Sequence, residues 1–99
     1  MAEIYTSGVW TVKAGEEDEF VEAWKDLVAL GAEMPGSETF RLLRDLERPN
    51  RFLSFAPWES FDAQQAWREH PEFSKRIERA RAHCDDFQTT TYELAAEVS

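Results

Sequence analysis

An α+β fold, in which a split βαβ repeat builds a four-stranded antiparallel sheet with its helices on one face, is what this sequence predicts. Three observations carry the prediction. Runs rich in β-branched and aromatic residues open and close the chain, as EIYTSGVWTVK and FQTTTYELA. Apolar residues at helical spacing fill the segments between them. A central RPN splits two extended runs in the manner of a hairpin.

The first strand, 3–13, carries Ile4, Trp10 and Val12 on one parity and Tyr5 and Val9 on the other, so both of its faces need cover. After Gly15 the acidic run EEDE complements the N-terminal end of a helix dipole, and Phe20, Trp24, Leu27 and Val28 follow at helical spacing. A helix is expected over about 16–31, ended by Gly31, with Pro35-Gly36 turning the chain back. Strands at about 38–46 and 51–58 form the hairpin. Ser60 caps a short helix bearing Phe61, Ala66 and Trp67, which Pro71 interrupts. A third helix then repeats Phe73, Ile77, Ala80 and Cys84 on one face, leaving Lys75, Arg76, Glu78 and Arg79 to solvent. A last strand over 87–95 completes the ferredoxin-like order. Helices cover one side of such a sheet, yet Tyr5, Val9, Phe40, Leu42, Leu53 and Phe55 place apolar groups on both. A homodimer packed sheet against sheet is therefore expected.

At 99 residues the chain has the size of one domain, taken as 1–99. Its 42% hydrophobic and 31% charged residues suit a folded globule. Twenty acidic residues against eleven basic ones give a net charge of -9, which repels phosphate backbones and anionic membranes and excludes nucleic acid as the main partner. Cys84 is the only cysteine, so neither an internal disulfide nor a zinc-type cysteine cluster can form. The N-terminus MAEIYTSGVW lacks a basic start followed by an apolar run, and no stretch is long and apolar enough to span a bilayer. A cytoplasmic protein is expected, without a membrane partner.

VWTVKAGEEDEFVEAW, PGS and RFLSFAPWESFDAQQAWREHPEF together resemble the antibiotic biosynthesis monooxygenase family of dimeric α/β barrels, over nearly the whole chain. The resemblance rests on the glycine and acidic helix after the first strand, on Trp58 closing the third strand before the capping serine, and on the W-x-x-H-P-x-F junction. It implies a dimeric α/β barrel. Members of the family include oxygenases that act on anthrone-type polyketide intermediates without metal or flavin, haem-degrading enzymes and small-molecule isomerases. Trp67 matches the pocket tryptophan of the anthrone and haem-degrading members. The asparagine one turn before it and the tyrosine six residues after it in the anthrone members are replaced here by Ala63 and Phe73. The first-strand asparagine and the iron-ligating histidine of the haem-degrading members are replaced by Gly8 and Ile77. The resemblance thus implies no haem ligand at that position, and no cofactor or metal is expected.

The candidate catalytic residues are Trp67, which would orient a flat substrate by stacking, and His70, whose ordinary pKa near 6.5 suits proton abstraction at neutral pH. Both have plainer readings, Trp67 as core and His70 as a cap on the helix after Pro71. Candidate substrate-binding residues are Tyr5, Trp10, Trp24, Arg41, Trp58 and Phe73, with Gly8 leaving room in the floor of the pocket. Arg41 and Arg44 have opposite parities, so one of them would orient an anion or join a salt bridge across the dimer. His83 reads as a surface residue complementing a helix C-terminus, and Cys84 as a small buried hydrophobe. The ligand expected is a small aromatic molecule. The functions in view are a cofactor-independent monooxygenase, a proton-transfer isomerase or cyclase, and a non-catalytic ligand-binding dimer.

Overall fold

The computed structural model describes residues 3–99. Among them the element order is β1 (Ile4–Val12), α1 (Glu17–Ala32), β2 (Arg41–Arg44), β3 (Arg51–Trp58), α2 (Phe61–Arg68), α3 (Phe73–Arg81) and β4 (Cys84–Glu93). The strands form one sheet in the order β2-β3-β1-β4, and every neighbouring pair is antiparallel. This is the ferredoxin-like arrangement that the sequence predicts.

Strand alternation sorts the side chains between two faces. Trp10 and Val12 of β1, with Phe52, Ala56 and Trp58 of β3, turn toward the helices and are buried against Phe20, Ala23, Trp24, Leu27 and Leu30 of α1. The opposite face holds Tyr5, Val9, Leu53 and Phe55, and no helix covers it. Leu43, Leu53 and Tyr92 are 48%, 43% and 56% exposed there. Phe40 and Leu42 belong instead to the helix side, packed against the core.

Several element boundaries depart from the sequence reading, each for a local reason. Gly31 still marks the end of α1 to within one residue, as the sequence predicts: α1 runs one residue past it, to Ala32. A Cβ on Gly31 would stand 2.7 Å from Phe40 Cζ and 3.1 Å from Trp67 Nε1, so its bare Cα is what lets both rings approach. The chain reverses at Gly36, whose φ of 85° suits glycine. β2 is shorter than 38–46. Phe40 turns into the core, and beyond Arg44 the Asp45 carboxylate accepts from the Glu47 and Arg48 N–H groups at 2.8 and 3.2 Å, closing a turn. Those two donors hold the Asp45 carboxyl below its ordinary pKa. Ser60 caps α2 as expected, its Oγ accepting from Ala63 N–H at 3.1 Å.

α3 ends at Arg81, so Cys84 opens β4 and does not extend the helical stripe of Phe73, Ile77 and Ala80. Nor is the far side of α3 left wholly to water. Arg76 donates to the Asp26 backbone oxygen at 2.9 Å and Arg79 to its carboxylate at 2.8 Å, tying α3 to α1. His83 lies beyond the helix, with Nδ1 2.9 Å from Glu16 Oε1. No helix among the described residues is long and apolar enough to cross a membrane.

Candidate functional site

Two aromatic clusters lie between sheet and helices. In one, Trp10 meets Phe20 at 5.3 Å and stacks on Phe87 at 5.4 Å, while Phe20 meets Phe52 at 5.2 Å. In the other, Trp67 stacks on Trp58 at 5.4 Å and takes the edges of Phe40 and Phe73 at 5.6 and 5.0 Å. Pairs at these separations gain energy beyond the area they bury.

A cavity of about 50 Å³ opens between the clusters. Trp10, Trp24, Leu27, Trp67, Phe73 and Ile77 are among its apolar lining, and Gly8 lies in its floor. A Cβ on Gly8 would stand 2.7 Å from Trp10 Nε1 and 2.9 Å from Ser54 Oγ, so the glycine leaves space for the hydrogen bond that Trp10 Nε1–H donates to Ser54 at 3.0 Å. Thr6, Ser54, Thr89 and Thr91 add a neutral, hydroxyl-bearing side. Arg68, exposed on the last turn of α2, is the only charged residue in the lining among the described residues.

The candidates proposed from sequence separate into groups. Trp10, Trp24, Trp67 and Phe73 are brought together around the cavity. Trp58 stands behind Trp67 and does not line it; its Nε1–H donates to Thr6 Oγ1 at 3.2 Å. Tyr5 and Arg41 lie on the uncovered face, because their parity is opposite to that of Trp10 and Leu42. The Tyr5 hydroxyl donates to Glu3 at 2.8 Å, and that bond to a carboxylate raises its pKa. Arg41 is exposed, while Arg44 lies on the helix side with its guanidinium 4.9 Å from the centre of the Phe52 ring.

His70 sits at the helix junction, outside the cavity lining. Its Nδ1 accepts from Glu72 N–H at 3.0 Å, and its backbone oxygen accepts from Phe73 N–H at 2.9 Å. The ring thereby satisfies one of the donors that the start of α3 leaves open. Cys84 is half-buried with Sγ 3.6 Å from the Ala80 carbonyl oxygen, and burial, reinforced by Asp85, pushes its thiol up to about 11. A thiol so held is not a nucleophile at neutral pH. No group of three or more His, Cys, Asp or Glu gathers among the described residues.

Gln64 is the residue that the sequence reading missed. Its side chain is fully buried, it lines the cavity, and neither its Nε2 nor its Oε1 has a partner. Trp67 Nε1 is also without a partner, pressed against the bare Cα of Gly31. Each buried polar group left unsatisfied costs about 1–3 kcal/mol. The signal was spacing. Gln64 precedes Trp67 by three residues and shares its helical face, whereas Phe61 and Ala66, the apolar residues that drew attention, are both exposed.

The sequence model of antibiotic biosynthesis monooxygenases matches residues 4–79. The chain belongs to that family. No curated protein sequence matches it. Among solved structures it is similar to SnoaB, a cofactor-independent oxygenase from Streptomyces nogalater, at 23% identity and a TM-score of 0.83, covering 100% of this chain and 97% of that one. A conserved protein from Methanosarcina mazei is 17% identical, with a TM-score of 0.83 over 93% of this chain and 92% of its own. A conserved protein of unknown function from Bacteroides thetaiotaomicron is 15% identical, with a TM-score of 0.83 over 94% and 98%. At these identities the likeness is one of fold, over 93–100% of this chain.

Proposed function

We propose that the protein is a cofactor-independent monooxygenase acting on a small, flat, electron-rich aromatic or polyketide-type substrate, anthrone-like or quinol-like, held between sheet and helices against Trp67. The observation that carries this reading is the make-up of the cavity. Its walls are aromatic on one side and hydroxyl-bearing on the other, and its described lining contains no acid, imidazole or thiol. Such a site stacks a planar ring and leaves the chemistry to the substrate. SnoaB, which shares the fold, is a cofactor-independent oxygenase.

The reaction balances without a further reductant. An anthrone-type CH₂ group loses a proton to give an electron-rich anion, which passes one electron to O₂. The two radicals join through a new C–O bond, the peroxide anion so formed takes back the proton, and the hydroperoxide loses water to leave C=O. One oxygen atom enters the product and the other leaves as water. Arg68 at the mouth favours the anionic form of the substrate. A bound substrate displaces water from the cavity, which strengthens the interactions felt by that anion.

A second reading, a non-catalytic small-molecule-binding dimer, is favoured by the absence of a general base from the described lining. About 50 Å³ is well below the roughly 300 Å³ of an ordinary ligand pocket, so either reading requires the Trp67 wall to yield when a ligand enters. An isomerase or cyclase using His70 as its base draws no support from the ring's backbone hydrogen bond. In each reading the uncovered sheet face, with Val9, Leu43, Leu53 and Phe55, seats a second copy of the chain as in a dimeric barrel.

The deciding measurement is oxygen uptake with anthrone and a naphthoquinol. The oxygenase reading expects one O₂ consumed per ketone formed from anthrone, above the spontaneous rate. Tight binding of both compounds with uptake no faster than in buffer would overturn it in favour of the binding dimer.

A further inference from the structure

We infer that Gln64 is the ligand-orienting residue of this cavity, selecting planar molecules that carry a hydrogen-bond acceptor and a donor side by side, such as a ring carbonyl next to an N–H or O–H. This rests on the reading that the cavity binds flat aromatic ligands, and it adds the polar pattern those ligands must present.

Two of the hydroxyls that line the cavity are already occupied. Ser54 Oγ receives the Trp10 indole N–H at 3.0 Å, and Thr6 Oγ1 receives the Trp58 indole N–H at 3.2 Å. The Trp67 indole N–H is without a partner, but it faces the backbone of α1 at Gly31. The Gln64 carboxamide is different. It lines the cavity, is 0% exposed, and has both of its ends free. An apolar side chain of similar length would fill the same position without leaving polar atoms unsatisfied, so the amide is an unfavourable choice for packing alone.

A carboxamide offers one donor and one acceptor in a single plane, whichever way its two ends are assigned. The complementary ligand edge is an acceptor beside a donor. α2 fixes the position of that edge, since Gln64 and Trp67 share one helical face: the ring stacks against the indole wall while its polar edge meets the amide.

Water sharpens the preference. A cavity of about 50 Å³ has room for a few water molecules at roughly 10–15 Å³ each, and these would satisfy the amide in the empty protein. A ligand that displaces them without replacing their hydrogen bonds loses affinity, whereas one with the matching edge does not. Trapped water therefore gives Gln64 a selective role in the presence of ligand.

Three bicyclic probes of similar size test this: 2-quinolone, which carries C=O beside N–H; quinoline, which carries an acceptor only; and naphthalene, which carries neither. Dissociation constants come from quenching of tryptophan fluorescence. The wild type should bind 2-quinolone at least about 10-fold more tightly than naphthalene, with quinoline between them, as expected for two net hydrogen bonds. Gln64→Met should bring that ratio to about one while melting at the same temperature or higher. Gln64→Leu provides the same reading if the methionine variant fails to fold. A merely structural glutamine would shift melting and leave the ratio untouched, and that result overturns the inference, as does a wild type without preference. Failure of all three probes to bind would overturn the aromatic-ligand reading as well. A Gln64-dependent ratio in a protein that consumes no oxygen would overturn the oxygenase reading alone.

Discussion

Trp67→Phe should be nearly neutral for stability, whereas the same change at Trp58 should be costly, although the two rings stack on each other and are both buried, at 7% and 1% exposure. Replacing indole by phenyl removes about two carbons' worth of apolar burial at either site, roughly 1.6 kcal/mol at about 0.8 kcal/mol per methylene-sized group. The nitrogens separate the two cases. Trp58 Nε1–H donates to Thr6 Oγ1 at 3.2 Å, so its removal forfeits a hydrogen bond worth about 1 kcal/mol. Trp67 Nε1–H has no partner, so its removal relieves a penalty of about 1–3 kcal/mol. The ring term cancels in the comparison, and Trp67→Phe should come out about 2–4 kcal/mol more stable than Trp58→Phe. Urea unfolding of both variants at fixed protein concentration, with the slopes compared to confirm a common unfolded state, measures the difference. Equal losses at the two sites would refute the reasoning, since they would mean that Trp67 Nε1 is satisfied in the folded protein. Ligand affinity measured on the same Trp67→Phe sample reports the stacking role separately from the core.

Gly31→Ala should destabilise, despite a helix-propensity gain of about 1 kcal/mol, because the new Cβ meets Phe40 Cζ at 2.7 Å and the Trp67 indole at 3.1 Å; a rise in melting temperature would show that the rings yield freely. His70→Ala should cost about 1 kcal/mol through loss of the acceptor for Glu72 N–H and leave oxygen uptake unchanged, so a 100-fold fall in rate would make His70 a base. Cys84 alkylation should stay slow at pH 8 and accelerate up to about pH 11; folding holds the proton on that thiol, so its contribution to stability is complete below the ordinary thiol pKa near 8.5 and declines as pH rises toward 11. Leu53→Glu, on the uncovered face opposite Val9 and Leu43, should halve the mass seen by light scattering if that face seats a second copy; a wild type that is already monomeric at micromolar concentration would remove the barrel.

The order of elements was legible because each carries its own local signal. Runs of β-branched and aromatic residues bounded by turn residues, a capping serine in front of α2 and an acidic first turn on α1 act within a few residues, and tertiary contacts did not override them. Long-range contacts were not legible. Gly31 ends α1 to within one residue, as its type suggests, but that Phe40 and Trp67, distant in sequence, rest against its Cα does not show in the sequence. Cys84 continues a four-three-four spacing that Arg81 ends, because the chain must turn there to pair Cys84 with Val12.

The candidate site was legible in its apolar half alone, and the reason is physical. Aromatic side chains announce burial by their type, so Trp10, Trp24, Trp67 and Phe73 could be gathered from the sequence and are found around one cavity. A glutamine announces nothing, since most glutamines are exposed and compatible with any helix surface. What distinguishes Gln64 is a relation, full burial without a hydrogen-bond partner, which exists only once α2 is laid against the sheet. The same relation explains why comparing residues position by position pointed elsewhere. The carboxamide that the resemblance implies four residues before the tryptophan is replaced by Ala63, while Gln64 carries one three residues before it, on a side chain longer by one methylene. Both offsets lie on one face of a helix, so the polar group that seemed lost has a neighbour in space that a match by alignment position does not register.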